Sequence, residues 1–122
     1  MNQQELIDYF LHTDKEGLEI MQKKNSDYAD PNLDVFKNFR VSEVVGISSA
    51  QAILVRLMDK ICRISNIIKA NGQSQVSNET IRDTIVDARN YLAILGALVE
   101  SELISKWNNL KKDSDGKSIY KN

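Results

Sequence analysis

The chain has 122 residues and a mass of 13.9 kDa, the size of one ordinary domain. Its 16 Lys and Arg residues nearly balance 17 Asp and Glu residues, and the formal net charge of −1 argues against a generic binder of duplex nucleic acid or anionic membranes. Hydrophobic residues make up 42% and charged residues 27%, a balance typical of a folded globular domain rather than a disordered chain.

The chain contains one cysteine, and no apolar run approaches the ~18 residues that a membrane span requires. A lone Cys62 cannot close an internal disulfide, which fits a reducing compartment, so we expect a cytoplasmic protein. The lack of a long apolar run places it outside the membrane. Cys62 itself is expected to be buried as a small hydrophobic residue. We predict a single α-helical domain over 1–112, followed by a polar tail over 113–122.

The first predicted element is a helix from about Gln3 to Lys24, because apolar residues recur there at helical spacing: Ile7, Phe10, Leu11, Leu18 and Met21. Pro31 disfavours helical geometry at Asp30, so a structured loop is expected over 25–31. A short helix that carries Leu33, Phe36 and Phe39 on one side is expected next.

Two longer helices follow. Ser48 and Gln51 have the spacing of a capping box, and the next helix keeps its apolar spacing from Ala50 to Asn71-Gly72 through Ile53, Leu57, Ile61, Ile64 and Ile68. The last helix is predicted to start at a cap on Ser77 or Asn78 and to run to about Lys111, with an apolar stripe of Ile81, Ile85, Ala88, Leu92, Leu95 and Val99. A helix of ~32 residues is ~48 Å long, more than a compact monomer of this size covers comfortably. The pattern therefore predicts an all-α helical bundle with a long C-terminal antiparallel hairpin, completed by oligomerisation.

The last two predicted helices carry lines of opposite charge. Basic residues lie at i, i+4 and i+7 on the first, with Asp59 beside them: Arg56, Lys60 and Arg63. Oxygen-bearing residues lie at i, i+4, i+8 and i+11 on the second: Glu79, Asp83, Asp87 and Asn90. One interpretation is a Mg²⁺ site of Asp59, Glu79, Asp83 and Asp87, with the basic line binding phosphate oxygens. The alternative is a set of interhelical or i, i+4 ion pairs on a solvated face. Arg82 and Arg89 lie on neighbouring sides of the last helix and are expected to be solvent-exposed, the alternative being contact with phosphate across a subunit boundary.

Aromatic, amide and charged residues also cluster around the predicted loop, in the set Asn25, Asp27, Tyr28, Phe36, Asn38 and Arg40. Aromatic rings stack on nucleobases, and Asn or Asp can bind a base edge or a ribose hydroxyl. The alternative is that the aromatic residues plug one end of the bundle while the polar residues cap helices.

The order of these short motifs resembles the nucleotide-modification-associated domain 1 family of phage and bacterial proteins. The resemblance spans about residues 20 to 95 and is carried by Lys24-Asn25-x-Asp27-Tyr28, Phe36-x-Asn38-Phe39, Asp59-Lys60-x-x-Arg63 and Asp83-Thr84-x-x-Asp87-x-x-Asn90-Tyr91. More distantly, the chain is similar to all-α nucleoside triphosphate pyrophosphohydrolases of the MazG and dimeric dUTPase type. The resemblance implies a nucleotide or a related phosphorylated ligand.

The resemblance also identifies two departures. Those pyrophosphohydrolases hold Mg²⁺ with Glu-x-x-Glu on one helix and Glu-x-x-Asp on the next, whereas the corresponding first helix here offers Asp59 alone. Ala29 follows Tyr28 where many relatives have glycine.

Three functions follow as hypotheses, and no catalytic residue is assigned. The first is a small helical homo-oligomer that binds a nucleotide without turnover; a phage protein of this kind would sequester a host immune signal in the host cytoplasm. The second is a Mg²⁺-dependent pyrophosphohydrolase acting in nucleotide metabolism or DNA base modification. The third is a helical protein-interaction module without a small-molecule site.

Overall fold

The computed structural model describes residues 1–28, 36–70 and 80–110, with side chains over 1–24, 36–70 and 80–104. Over these ranges the chain is all-α and contains no strand. The helices are α1 (Gln3–Tyr28), α2 (Lys37–Arg40), α3 (Ser49–Lys69) and α4 (Ile81–Leu110), with a 3₁₀ helix at Val41–Val45 between α2 and α3. The predicted polar tail over 113–122 lies outside the described residues.

Helix α1 is longer than the sequence pattern predicts. Asn2 begins it by accepting a 2.9 Å hydrogen bond from the backbone N–H of Glu5, and the helix continues through Tyr28 rather than ending at Lys24. The expected loop over 25–31 is therefore wrong for its first four residues. The steric effect of Pro31 falls on the residue immediately before it, so it does not prevent helix up to Tyr28.

The segment between α1 and α3 ends in a tight turn. Gly46 lies at φ +80°, in the left-handed region that favours glycine, and its N–H donates to the carbonyl of Glu43. The predicted capping box then starts α3 as expected: the Ser48 hydroxyl accepts from the Gln51 N–H at 3.1 Å, and the Gln51 side chain accepts from the Ser48 N–H at 3.1 Å.

Helices α3 and α4 form the main packed pair. The buried residues of α3 include Ile53, Leu57 and Ile67, and those of α4 are Thr84, Val86, Ala88 and Leu98. Lys60, in the middle of α3, contacts Asp87 near the start of α4, whereas Arg40, before α3 begins, contacts Glu102 in the second half of α4.

Helix α4 begins with a cap that the sequence pattern did not identify. The Thr80 hydroxyl accepts from the backbone N–H of Asp83, and the Asp83 carboxylate accepts from the N–H and the hydroxyl of Thr80 at 2.9 and 3.0 Å. The predicted caps, Ser77 and Asn78, lie outside the described residues. Of the predicted apolar stripe of α4, Ala88 is buried as a core residue would be, whereas Leu92 is more than half exposed.

Helix α1 packs against α4 mainly with polar and small residues, and from its apolar stripe the Phe10 ring lies 4.9 Å from the Arg89 guanidinium. Thr13 and Gly17 are buried at this contact, and the side-chain amide of Asn90 donates a 3.0 Å hydrogen bond to the carbonyl of Gly17. The members of the predicted stripe Ile7, Phe10, Leu11 and Leu18 are all exposed. The periodicity thus predicts the helix correctly but not which side of it meets α4.

Two further expectations concern exposure. Cys62 is exposed, not buried, because it points away from the α4-facing side of α3. None of the helices in the described ranges is by itself long and apolar enough to cross a bilayer; Lys37–Val45 and Ser49–Lys69 meet that test only as a pair bent by 106°.

Candidate functional site

A cleft of about 350 Å³ opens on the surface of the α3–α4 pair, and five described side chains line it: Arg56, Asp59, Lys60, Arg63 and Tyr91. The first four occupy one side of α3 because they are spaced at i, i+3, i+4 and i+7. Tyr91 reaches the same cleft from α4. The structure thus brings the three residues of the predicted basic line together with the neighbouring Asp59.

An ion pair joins the two helices beside this cleft. The Nζ atom of Lys60 lies 3.3 Å from Oδ2 of Asp87, and the two side chains are 26% and 25% exposed. A pair this far removed from bulk water is less screened than a fully exposed one. The interpretation of the two charged lines as interhelical ion pairs is therefore confirmed for Lys60 and Asp87.

Two aromatic residues around the start of α2, Phe36 and Phe39, form cation-π contacts with arginine side chains. The guanidinium of Arg56 lies 5.1 Å from the ring centroid of Phe39, and that of Arg40 lies 5.9 Å from the ring centroid of Phe36. Arg40 also forms a 3.1 Å ion pair with Glu102. Phe39 therefore contacts one of the arginines that line the cleft, and Arg40 connects the end of α2 to α4.

The remaining members of the predicted ligand-binding group are not among the described side chains that line the cleft. Asn38 is exposed on α2 and is not among the described residues that line the cleft. Asn25, Asp27 and Tyr28 lie in the last turns of α1, and their side chains fall outside the description. Their assignment to base or ribose contacts stays a prediction.

The four predicted metal ligands have different surroundings. Asp59 lines the cleft, Asp87 pairs with Lys60, and Asp83 caps α4; Glu79 lies outside the described residues. Hydrogen bonds from Thr80, first from its backbone and then from its side chain, hold the pKa of Asp83 below its ordinary value. Among the described side chains, no three His, Cys, Asp or Glu residues come together as a metal site. The Mg²⁺ assignment stays a prediction.

The structure adds one residue to the site that the sequence interpretation did not assign. Tyr91 lies four residues after Asp87, so the same helical spacing that places Asp87 opposite Lys60 also brings Tyr91 to the cleft. Continuing the four-residue spacing of Glu79, Asp83 and Asp87 by one further step would have identified Tyr91.

Arg82 and Arg89, expected to be solvent-exposed, are partly exposed and bind α1. Arg82 forms hydrogen bonds of 2.7 and 3.1 Å with the two carboxylate oxygens of Glu16, and its guanidinium lies 5.6 Å from the Tyr9 ring centroid. Arg89 donates to the Thr13 hydroxyl and to the Asp14 carboxylate. No local pattern in the sequence identifies these partners, because they are more than 60 residues apart along the chain.

Comparison of the chain with protein-family models, with curated proteins and with solved structures finds no match.

Proposed function

We propose that this protein binds a small phosphorylated ligand of nucleotide type in the cleft on the α3–α4 pair and holds it without turnover. The observation that carries the proposal is the convergence of three cationic side chains and one tyrosine ring on a single open volume: Arg56, Lys60, Arg63 and Tyr91. Its volume of about 350 Å³ falls within the range of small-molecule pockets, roughly 300 to 1,000 Å³.

The charge of the cleft favours an anion. Three of the five described side chains that line it are cations and one, Asp59, is a carboxylate, while Asp87 pairs with Lys60 beside it. Arginine binds phosphate oxygens with two parallel N–H donors, and lysine binds them as a compact point charge. A phosphate or diphosphate group therefore suits these side chains better than a neutral ligand does.

Tyr91 supplies the second part of the recognition. Its side chain is partly buried at the border of the cleft, and an aromatic ring next to cationic groups can stack on a nucleobase while the phosphate binds the cations. Such stacking contributes ~1–3 kcal/mol per base. The ligand class that satisfies both features is a nucleotide or a nucleotide-derived signal.

The scarcity of carboxylates on α3 supports retention of the ligand without turnover. This helix carries Asp59 as its only acidic residue, whereas a metal-dependent pyrophosphohydrolase of the type suggested by the resemblance needs carboxylate pairs on both helices. One observation favours the hydrolase as the second candidate, since Asp59 borders the same cleft as the three cations. In that case a bound Mg²⁺ would activate water for attack on phosphorus.

The proposed ligand site belongs to an antiparallel α3–α4 hairpin that oligomerisation completes. The order of interhelical contacts supports this direction, because Lys60 meets Asp87 while the earlier Arg40 meets the later Glu102. In the cytoplasm, a protein of this kind would lower the free concentration of a signalling nucleotide by mass action.

The test is to incubate the purified protein with nucleoside triphosphates, cyclic oligonucleotides and cyclic ADP-ribose-type molecules, with and without Mg²⁺. Each mixture is then separated by chromatography before and after heat denaturation. A ligand that leaves solution and returns intact supports sequestration. A ligand that returns as monophosphate and pyrophosphate supports the hydrolase and contradicts retention without turnover.

Charge-reversal variants locate the site. We expect Lys60→Glu and Arg63→Glu to lose most of the binding, whereas Lys15→Glu makes the same charge change on the exposed surface of α1 and retains it. Variants of Lys60 and Arg63 that fold normally and bind with full affinity would place the ligand elsewhere.

A further inference from the structure

We infer that a second copy of this chain covers an apolar face of the α3–α4 pair, on the side opposite the cleft. This apolar face consists of six exposed side chains, namely Leu54, Met58, Ile61 and Ile68 of α3 and Leu92 and Leu103 of α4. The inference deepens the proposed assembly by assigning its interface, and it does not depend on the identity of the ligand.

The position of the face on α3 follows from helical geometry. Each residue advances about 100° around the helix axis, so Leu54 lies about 100° beyond the buried Ile53, and Ile61 and Ile68 follow at intervals of seven. Arg56 lies about 60° from Ile53 in the opposite sense, and Arg63 follows it by seven residues. The apolar stripe and the basic cleft therefore occupy opposite sides of the α4-facing line of α3.

The exposed leucines of α4 continue the same face. Leu92 lies about 100° beyond Tyr91, which borders the cleft with α3, just as Leu54 lies about 100° beyond Ile53. When two helices run antiparallel, a rotation by the same angle about each axis, away from the line of contact and in the direction of increasing residue number, leads to the same side of the pair. The stripes of α3 and α4 thus form one surface rather than two separate patches.

The size of this surface matches what an interface needs. A fully exposed Leu or Ile side chain presents on the order of 100 Å² of apolar area, so six side chains that are about half exposed present roughly 300 Å². A standard interface buries about 800 Å² per partner, a little over half of it apolar. The face supplies most of that apolar area.

The chemistry of the face favours a second copy as its occupant. All six of its side chains are uncharged, so a twofold axis through the face opposes no like charges. The chain's own remaining segments, over 29–35, 71–79 and 111–122, are poorly suited to cover it, because their large aliphatic residues are few: Leu33, Val35, Val76 and Ile119. A twofold contact also leaves the cleft accessible on the opposite side.

The experiment is sedimentation velocity of the full chain over about 1–100 μM, combined with one substitution on the face. We expect the wild type to sediment as a dimer or larger assembly, and Ile61→Glu to sediment as a folded monomer. Val55→Glu is the matched control, since Val55 is on the same helix and is 57% exposed against 54% for Ile61, but it points away from both the face and α4.

Each outcome decides a different claim. A monomeric wild type across the whole range would overturn both the assembly and its interface. An Ile61→Glu variant that stays assembled, or a Val55→Glu variant that dissociates equally, would overturn the assignment of the face alone. If Ile61→Glu lacks the helical circular dichroism of the wild type, Leu92→Gln is measured instead, with the same expectation. Ligand binding by the Ile61→Glu monomer is expected to be unchanged, which keeps the interface separate from the proposed function.

Discussion

The ion pair beside the cleft predicts a variant that binds better than the wild type. In the folded protein the Asp87 carboxylate lies 3.3 Å from the Lys60 ammonium and occupies one direction from which a phosphate oxygen would approach it. A phosphorylated ligand must therefore compete with Asp87 for Lys60 or accept a weakened contact. Asp87→Asn keeps the shape of the side chain and removes that competing charge.

The expected gain follows from the exposure of the pair. Fully exposed pairs are worth ~0–1 kcal/mol, and this pair, with about a quarter of each side chain exposed, belongs at the upper end of that range. Removing a competitor worth about 1 kcal/mol increases affinity roughly fivefold, since ~1.4 kcal/mol corresponds to tenfold. The loss of a negative charge beside the bound anion acts in the same direction and weakens as salt is added.

Isothermal titration calorimetry with inorganic pyrophosphate and with ADP measures this gain directly. Asp8→Asn is the matched control, because it makes the same charge change on an exposed part of α1, and we expect its affinity to equal that of the wild type. The reasoning is wrong if Asp87→Asn binds as the wild type does, or more weakly, while Lys60→Glu still abolishes binding. Lys60 would then need Asp87 to hold it in position.

Three further predictions concern the helix termini and contacts. Thr80→Ala should cost about 1 kcal/mol of unfolding free energy at pH 7 by removing half of the α4 cap, as measured by urea denaturation. The pKa of the Asp83 carboxyl is lower in the folded state than its ordinary value of 3.8. The stability that ionised Asp83 contributes is therefore present above pH 3.8 and is lost as the pH falls through the lower folded pKa. The cost of Thr80→Ala should accordingly shrink in acid. Gly17→Leu should release α1 from α4, since a Cβ atom at Gly17 already meets the Asn90 side chain at 2.6 Å; hydrogen exchange should rise in α1 but not in α3, whereas Asn90→Ala should cost only one hydrogen bond. Gly46→Ala should destabilise the protein by about 1–2 kcal/mol in the same urea assay, because its φ of +80° strains any residue with a Cβ atom.

The sequence predicts elements of this fold better than it predicts their contacts. Helical spacing and the Ser48–Gln51 capping box place α3 to within about two residues, because both signals are local. The contact between α1 and α4 has no such signal. It depends on Gly17, which allows close approach, and on Arg82 reaching Glu16 from a distant part of the chain. Periodicity selects the apolar stripe of α1 instead, and most of that stripe is exposed.

The candidate site also has one part that the sequence predicts and one part that it does not. The basic line could be predicted because Arg56, Lys60 and Arg63 are spaced on one helix, and their spacing alone puts them on one side. The partner of each charge could not be predicted, since Asp87 meets Lys60 only through the relative position of α3 and α4. Asp83 belongs to the same acidic line as Asp87, yet Thr80 engages its carboxylate at the start of the helix.

The residue pattern of α3 explains how one short chain can combine a charged cleft with the proposed apolar interface. A surface helix of a monomer normally needs one apolar side, but α3 has apolar residues on its α4-facing line and again about 100° beyond it, with cations on the other side of that line. Arg56 and Arg63 lie on the cleft side of α3, where an apolar contact would remove two charged guanidinium groups from water. Leu54 and Ile61 gain from burial and have no polar group to satisfy. The two sides of α3 are thus suited to different partners, a small anion and a second protein chain, and binding one leaves the surface for the other free.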